Sequence, residues 1–229
     1  PYFGYARQDR KSKPRQPITS RLVADLLKTA GVDRVVCVDL HASQIQGFFS
    51  CLVDDLTAIP LLASHFANVD TSDWITVSPD HGGVNRARRV AERLNTSLAI
   101  IDKRRSKPNE AEVMNIVGDV KGKHCLMIDD MIDTAGSCSE GAKALLAQGA
   151  KDVRIACTHG IFSKPASDRL LKTDLFKEIV TTDSIPLKDE MKDPRVTVLS
   201  LAPMLAKIIE HLELGKPLSF VYDMFVEKI

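Results

Sequence analysis

Two adjacent aspartates followed by a turn of small residues form the segment of this chain best suited to ligand chemistry. Asp129 and Asp130 end an apolar run, and two carboxylates at the end of a strand can accept hydrogen bonds from vicinal hydroxyls. The next residues lead into a helical pattern, where backbone amides without intrahelical partners and the helix dipole can hold a phosphate. These residues are Asp133, Thr134, Ala135, Gly136 and Ser137. A diol beside a phosphate describes ribose 5-phosphate, whereas the plainer alternative is a generic strand and helix with acidic caps.

A basic turn supplies a second set of candidate residues. If the backbone is extended there, Lys103 and Arg105 point to the same side and Arg104 points to the other. Two cations that converge on one oligophosphate could offset the charge that builds on its oxygens during phosphoryl transfer. The alternative is a solvated basic turn before Pro108.

Two further segments could hold phosphate or a metal ion. Asp80 precedes a pair of glycines that permit a tight turn with exposed amides, although it could simply cap the next helix. His41 follows an apolar run, and a lone histidine at the end of a strand is usually structural. A Mg²⁺ that bridges nucleotide phosphates takes only one or two protein groups, so His41 and Asp80 could supply them.

The first residues form a basic segment that contains several prolines. Within it, the aromatic ring of Tyr5 lies close in sequence to Arg7. This composition favours a mobile loop through about Ser20. Arg7 could make bidentate contacts to phosphate, which would suit a loop that closes over a nucleotide. The alternative is a disordered basic terminus.

Composition limits the class of protein. A chain of 229 residues with 44% hydrophobic and 27% charged side chains can bury one large core or two modest ones, and we expect two lobes. The net charge of +1 carries no general signature of nucleic-acid or membrane binding. The five cysteines form no CxxC pair, which predicts reduced thiols in a cytoplasmic protein. The sequence also shows no signal peptide and no long apolar span, which agrees with that prediction.

Apolar runs and helical spacing alternate along the chain. The runs predict strands at 35–38, 74–77, 97–101, 124–128, 153–158, 178–182 and 196–199. The spacing predicts helices at 20–30, 60–67, 83–94, 136–148, 165–172 and 201–214. This alternation indicates a mainly parallel sheet with helices on both faces.

Several candidate residues come soon after predicted strands, and ligand groups gather at the carboxyl ends of strands in parallel sheets. They are His41, Asp80, Lys103 and Asp129. A hairpin is also predicted, with its turn at 121–123 between an edge strand near 113–120 and the strand at 124–128.

Together these segments resemble the ribose-phosphate pyrophosphokinase family over essentially the whole chain. The resemblance rests on residues 5–11, 39–49, 78–83, 102–105, 129–136 and 158–163. The first, second and fourth of these segments separate that family from ordinary phosphoribosyltransferases, which share only the ribose motif.

The resemblance implies an α/β fold of the type I phosphoribosyltransferase-like class, with two similar lobes and mainly parallel sheets. Family members carry a further half-domain before the segment that begins here at Pro1, so the first lobe is expected to be incomplete. It would comprise residues 1–58 and 213–229, with a last strand near 219–222. Residues 59–212 would form the second lobe, which carries the ribose 5-phosphate site.

The implied reaction transfers the diphosphoryl group of MgATP to the anomeric hydroxyl of ribose 5-phosphate, giving phosphoribosyl pyrophosphate and AMP. Matching positions imply that Lys103 and Arg105 stabilise the transition state. Further implied roles are ATP binding by Arg7, Gln8 and His41, Mg²⁺ binding by His41 and Asp80, ribose hydroxyl binding by Asp129 and Asp130, and 5-phosphate binding by residues 133–137. Family members form hexamers, so a homo-oligomer is expected.

Two other functions are compatible with parts of the pattern. A phosphoribosyltransferase that consumes phosphoribosyl pyrophosphate would use the same ribose site, but the Arg7 and His41 segments would then have no purpose. A non-catalytic regulatory relative would be expected to lose the charged residues that this chain retains.

Overall fold

The computed structural model describes residues 1–104 and 113–219, and these residues form two compact units. The first unit ends at Ala58 and the second begins at Ile59. The smaller unit contains helix α1 (Thr19–Thr29), strand β1 (Arg34–Val38), a 3-10 helix (Ser43–Phe48) and strand β2 (Leu52–Leu56).

Two parallel strands organise the smaller unit, with Arg34 opposite Leu52 at the start of their pairing. Sequence reasoning missed β2 because Asp54 and Asp55 interrupt its apolar character. Both carboxylates have partners that are distant in the sequence: Asp54 accepts a hydrogen bond from Arg34 at 2.6 Å, and Asp55 accepts one from the Leu40 amide at 3.0 Å. Tertiary pairing therefore outweighs the low strand propensity of aspartate here.

The larger unit alternates helices and strands. Its helices are α2 (Ile59–Phe66), α3 (Val84–Leu94), α4 (Gly136–Ala147), α5 (Ala166–Leu171) and α6 (Ala202–Glu213), with a 3-10 helix at Asp189–Met191. Its strands are β3 (Trp74–Ser78), β4 (Ser97–Arg104), β5 (Val113–Val117), β6 (His124–Ile132), β7 (Asp152–Gly160), β8 (Glu178–Thr182) and β9 (Val196–Leu199).

In the described residues, seven strands form one sheet in the order β5-β4-β3-β6-β7-β8-β9. Neighbouring strands are parallel, except that β5 is antiparallel to β4. Consecutive residues of β6 enter opposite hydrophobic clusters: Met127 packs with Leu145 of α4, and Leu126 packs with Val90 of α3. The predicted α/β fold with a mainly parallel sheet covered on both faces is thus confirmed.

Strand β6 is longer than its apolar run. It was predicted to end at Ile128, but pairing with β7 continues to Ile132, which lies opposite Gly160. The two acidic residues at 129 and 130 therefore belong to the strand itself, because the ladder continues past the point where the apolar pattern stops.

The predicted hairpin between β5 and β6 is wrong. β5 pairs with β4, placing Met114 opposite Lys103, while β6 is flanked on its two sides by β3 and β7. Gly118 packs against β4, where an added Cβ would lie 2.9 Å from the Ala99 Cβ, and its φ of +123° favours glycine. The turn at 121–123 therefore connects an edge strand to the centre of the sheet.

Replacing Gly160 by alanine is expected to destabilise the larger unit by about 1–3 kcal/mol, the usual range for overpacking. An added Cβ would clash with the ring of the fully buried Phe162 and lie 2.8 Å from Thr181 Oγ1. Urea unfolding would measure the loss. Gly47→Ala is the control because, among the described residues, its Cβ would meet no atom within 4 Å; equal stability of the two variants would refute the packing argument.

All five cysteines are unpaired, and Cys51 is more exposed than the other four, which are buried. Within residues 1–104 and 113–219, no helix combines the length and apolar character needed to cross a membrane.

Candidate active site

The acidic pair lies near the carboxyl end of β6, a central strand. Asp130 is 3% exposed and Asp129 is half-buried, and Asp129 Oδ1 accepts a hydrogen bond from the Asp130 amide at 2.8 Å. Burial and the adjacent Asp130 carboxylate raise the pKa of Asp129 to about 8. An acidic pair of this kind holds a proton more tightly than isolated aspartates do.

One arginine faces both acids. Arg86 Nη1 lies 3.7 Å from Asp129 Oδ1 and 3.5 Å from Asp130 Oδ1, and its side chain is only 17% exposed. Its positive charge lowers the pKa of Asp129, which opposes the effect of burial. Sequence reasoning missed Arg86, although it lies one helical turn before the buried Val90 and so borders the buried face of α3.

The turn after β6 presents the first amides of α4. Ala135 adopts φ +59° and precedes Gly136, the first residue of α4. The first intrahelical hydrogen bond joins the Ser139 amide to the Ala135 carbonyl at 3.1 Å. The first-turn amides of Gly136, Ser137 and Cys138 precede that bond, and amides in such positions suit a phosphate ligand.

A second arginine, also not predicted from sequence, contacts this turn. Arg169 of α5 donates from Nη1 to the Thr134 carbonyl at 2.8 Å. The two residues are 35 positions apart in the chain, so local sequence patterns carried no signal for the contact.

The turn after β3 is tightly closed. Asp80 Oδ1 accepts a hydrogen bond from the Gly83 amide at 2.9 Å, and an added Cβ at Gly83 would lie 3.0 Å from Ser78 Oγ. Asp80 thus makes the local contact expected of a capping residue, while its exposed carboxylate remains accessible to a ligand. Next to it, His81 Nε2 lies 2.9 Å from Oδ1 of the buried Asp102.

Lys103 lies near the end of β4, where its backbone pairs with Met114. β3 is parallel to both β4 and β6, so the carboxyl ends of β4 and β6 lie at the same edge of the sheet. With β3 alone between them, the two strands are about 10 Å apart. Arg105 lies outside the described residues.

The remaining predicted site residues belong to the smaller unit. Residues 5–8 form a turn in which the Gln8 amide donates to the Tyr5 carbonyl at 2.9 Å. The Gln8 carbonyl accepts a hydrogen bond from the hydroxyl of the buried Ser20 at 2.7 Å, which fastens this turn to α1. Arg7 and His41 are both exposed. The structure thus places Arg7, Gln8 and His41 in one unit, and Asp80, Lys103 and the acidic pair in the other.

The donor set is compatible with Mg²⁺ bound mainly by a nucleotide. Among the described residues, no group of three or more His, Cys, Asp or Glu side chains is arranged to hold a metal ion. A Mg²⁺ bridging phosphates needs only one or two protein ligands, and the accessible carboxylate of Asp80 is a suitable hard oxygen donor. His41 would supply a softer nitrogen donor, which is less typical of Mg²⁺ sites.

Comparisons with known proteins find related families along most of the chain. Residues 57–191 match the model described as the phosphoribosyl transferase domain, and residues 1–31 match the N-terminal domain of ribose phosphate pyrophosphokinase. Ribose-phosphate pyrophosphokinase of Fusobacterium nucleatum is 53% identical over 97% of this chain and 71% of its own length. The protein of that name from Oceanobacillus iheyensis is 50% identical over 97% of this chain and 70% of its own length.

A solved structure is similar as well. The crystal structure of phosphoribosylpyrophosphate synthetase from Mycobacterium smegmatis superposes with a TM-score of 0.86 at 46% identity. The match covers 94% of this chain and 70% of that one. The similarity therefore extends through both units of the chain.

Proposed function

Because the chain belongs to the ribose-phosphate pyrophosphokinase family, we propose that it transfers the diphosphoryl group of MgATP to ribose 5-phosphate. The relatives of that name are enzymes, and this chain is an enzyme of phosphoribosyl pyrophosphate synthesis. In the proposed step the anomeric oxygen bonds to the β-phosphorus of ATP. The bridge to the α-phosphate breaks, AMP leaves, and the hydroxyl proton passes to solvent.

The observation that carries the proposal is that the acidic pair and the turn suited to phosphate belong to one continuous segment of the chain. Residues 129–137 run from two carboxylates in β6 to the first amides of α4, and in the proposal these groups would bind the ribose hydroxyls and the 5-phosphate. Arg86 balances part of the negative charge of the pair. A pentose phosphate matches this sequence of acceptors and donors.

Catalysis would consist mainly of positioning and electrostatic stabilisation, since the substrate hydroxyl attacks phosphorus directly. Lys103 would stabilise the charge that develops on the transferred phosphates, and the shared sheet edge of β4 and β6 supports this role. Arg105 is proposed for the same role on the basis of family resemblance. Arg7, Gln8 and His41 would contact ATP.

Magnesium would be held by Asp80 and His41 together with the nucleotide. When bound, the ion supplies positive charge to the phosphate oxygens, which lowers the barrier to transfer. The protein residues would orient the two substrates. The proposal also includes assembly into a homo-oligomer, a hexamer by family resemblance, which light scattering would test.

An AMP-release assay tests the reaction. ATP, Mg²⁺ and ribose 5-phosphate are expected to yield AMP and phosphoribosyl pyrophosphate in equal amounts, and ribose without the phosphate is expected to give neither. A complete relative assayed in parallel is the positive control. Consumption of phosphoribosyl pyrophosphate with a nucleobase, without AMP release from ATP, would instead identify a phosphoribosyltransferase.

Replacing Arg86 by glutamine is expected to weaken ribose 5-phosphate binding and to shift its pH dependence upward. Loss of the opposing cation raises the pKa of Asp129 further, so the carboxylate that accepts hydrogen bonds from the ribose forms only at a higher pH. Calorimetric titrations between pH 6 and 9 would measure the shift. Arg88→Gln is the matched control because Arg88 is an exposed arginine of the same helix; identical pH profiles for both variants would exclude this role of Arg86.

A further inference from the structure

Arg169 is delivered to the phosphate-binding turn by a firmly anchored helix. Its neighbours in α5, Ala166 and Leu170, are fully buried in the core cluster that also contains Cys138 of α4. The hydroxyl of Thr173 donates to the Arg169 carbonyl at 2.7 Å, which holds the last turn of the helix. These contacts therefore hold the backbone of Arg169 in place.

The hydrogen bond from Arg169 is made next to Ala135, the left-handed residue of the turn. Ala135 is 5% exposed and left-handed, and the carbonyl just before it, that of Thr134, receives the Arg169 hydrogen bond. A phosphate cradle needs its amides directed at the ligand and its carbonyls directed away, because carbonyl oxygens repel phosphate oxygens. Arg169 engages one of those carbonyls and so stabilises the conformation that the cradle requires.

The same guanidinium lies against the first residue of α4. An added Cβ at Gly136 would be 3.1 Å from Arg169 Nη1 and 3.7 Å from Cζ. The neighbouring acid on α5, Asp168, pairs with Lys172 at 2.7 Å, so that carboxylate is engaged elsewhere. A guanidinium carries five N–H donors, and the bond to Thr134 uses one of them.

We propose that Arg169 is a positioning residue for the 5-phosphate: it holds the turn through the Thr134 carbonyl and adds a positive charge beside the bound phosphate. This inference rests on the proposed function, since it takes the ligand to be a sugar phosphate monoester. It assigns part of the preference for the phosphorylated sugar to a helix outside the ribose motif.

Direct binding measurements on the whole chain test the inference. Arg169→Met is expected to raise the Kd for ribose 5-phosphate about tenfold, at the lower end of the effect of a charged hydrogen bond because the arginine is exposed. Arg169→Lys keeps the positive charge but lacks the planar guanidinium. Its Kd for ribose 5-phosphate is expected to lie between that of the unmodified protein and that of Arg169→Met. Lys143→Met, at an exposed lysine that pairs with Glu140 on α4, is the control and should bind as the unmodified protein does.

Three readouts separate this role from general damage. The Kd for ATP and the melting temperature of Arg169→Met should match those of the unmodified protein, and the ratio of affinities for ribose 5-phosphate and ribose should fall. A Kd within twofold of the unmodified value, or an equal loss for ribose, would overturn the inference.

The inference and the proposed function can fail separately. If the unmodified chain binds ribose 5-phosphate in the Arg169-dependent manner but releases no AMP, the inference holds and the proposed reaction fails. If AMP is released and Arg169→Met binds normally, only the inference fails. Absence of ribose 5-phosphate binding by the unmodified chain would overturn both.

Discussion

Replacement of Lys103 by alanine is expected to lower kcat by about 10²- to 10³-fold, equivalent to about 2.7–4 kcal/mol of transition-state stabilisation. The lysine lies near the end of β4, at the same sheet edge as the acidic pair of β6. In the proposed reaction, negative charge shifts among the phosphate oxygens as the bond to AMP breaks. A cation fixed beside those oxygens stabilises the transition state more than the ground state, so kcat changes more than KM.

The measurement is steady-state AMP release at saturating ATP and ribose 5-phosphate. Lys143→Ala is the control because this exposed lysine pairs with Glu140 on the outer surface of α4. Both variants should melt at the same temperature. An unchanged kcat for Lys103→Ala would remove the lysine from the mechanism.

Replacement of Asp129 by asparagine is expected to weaken ribose 5-phosphate binding by about 10- to 150-fold, the range for a lost hydrogen bond to a charged group. The amide cannot provide the two acceptor oxygens of an ionised carboxylate. Calorimetry at pH 8.5 would measure this loss, because there Asp129 in the unmodified protein is largely ionised. Asp189→Asn is the control, since the Asp189 side chain is 93% exposed.

The same substitution is expected to increase stability. Asp129 has a pKa of about 8 in the folded chain against an ordinary 3.8, so the folded state binds its proton more tightly than the unfolded state does. Stability is therefore lost as pH rises from about 4 to 8, and asparagine avoids that loss because it does not ionise. A gain of 1 kcal/mol would raise the melting temperature by about 2–4 °C.

The pH dependence distinguishes this effect from a general packing change. Asp129→Asn should melt above the unmodified protein at pH 8, and the difference should disappear below pH 4, where both side chains are neutral. A lower melting temperature at pH 8 would contradict the raised pKa. Opposite effects on binding and stability are expected where a site holds charges for its ligand.

The strands most accessible to sequence reasoning were those buried on both faces. Trp74–Ser78 is buried at every position, so its apolar run showed the strand directly. β2 was missed because Asp54 and Asp55 hid it, and their compensating partners are distant in the chain. The pairing of β5 was predicted wrongly because a short turn suggested a hairpin, whereas β6 had both of its edges occupied by parallel neighbours.

The candidate site also has one part that could be predicted from the sequence and another that could not. Residues 129–137 form one continuous segment, so their ordered acids, small residues and helix start could be recognised along the chain. Arg86 and Arg169 reach that segment from other helices, and their contribution depends on packing that no local pattern encodes. The roles of individual residues remain predictions, which the variants above test.

The antiparallel pairing of β4 with β5 has a practical consequence. Lys103 lies opposite Met114 and Arg104 opposite Val113, so the two strands clamp the main chain on both sides of residues 105–112. The pairing of β4 with β3 ends at Ile100, so among the described residues the backbone at Lys103 is held by β5, and a change that weakens this edge strand is expected to displace the lysine.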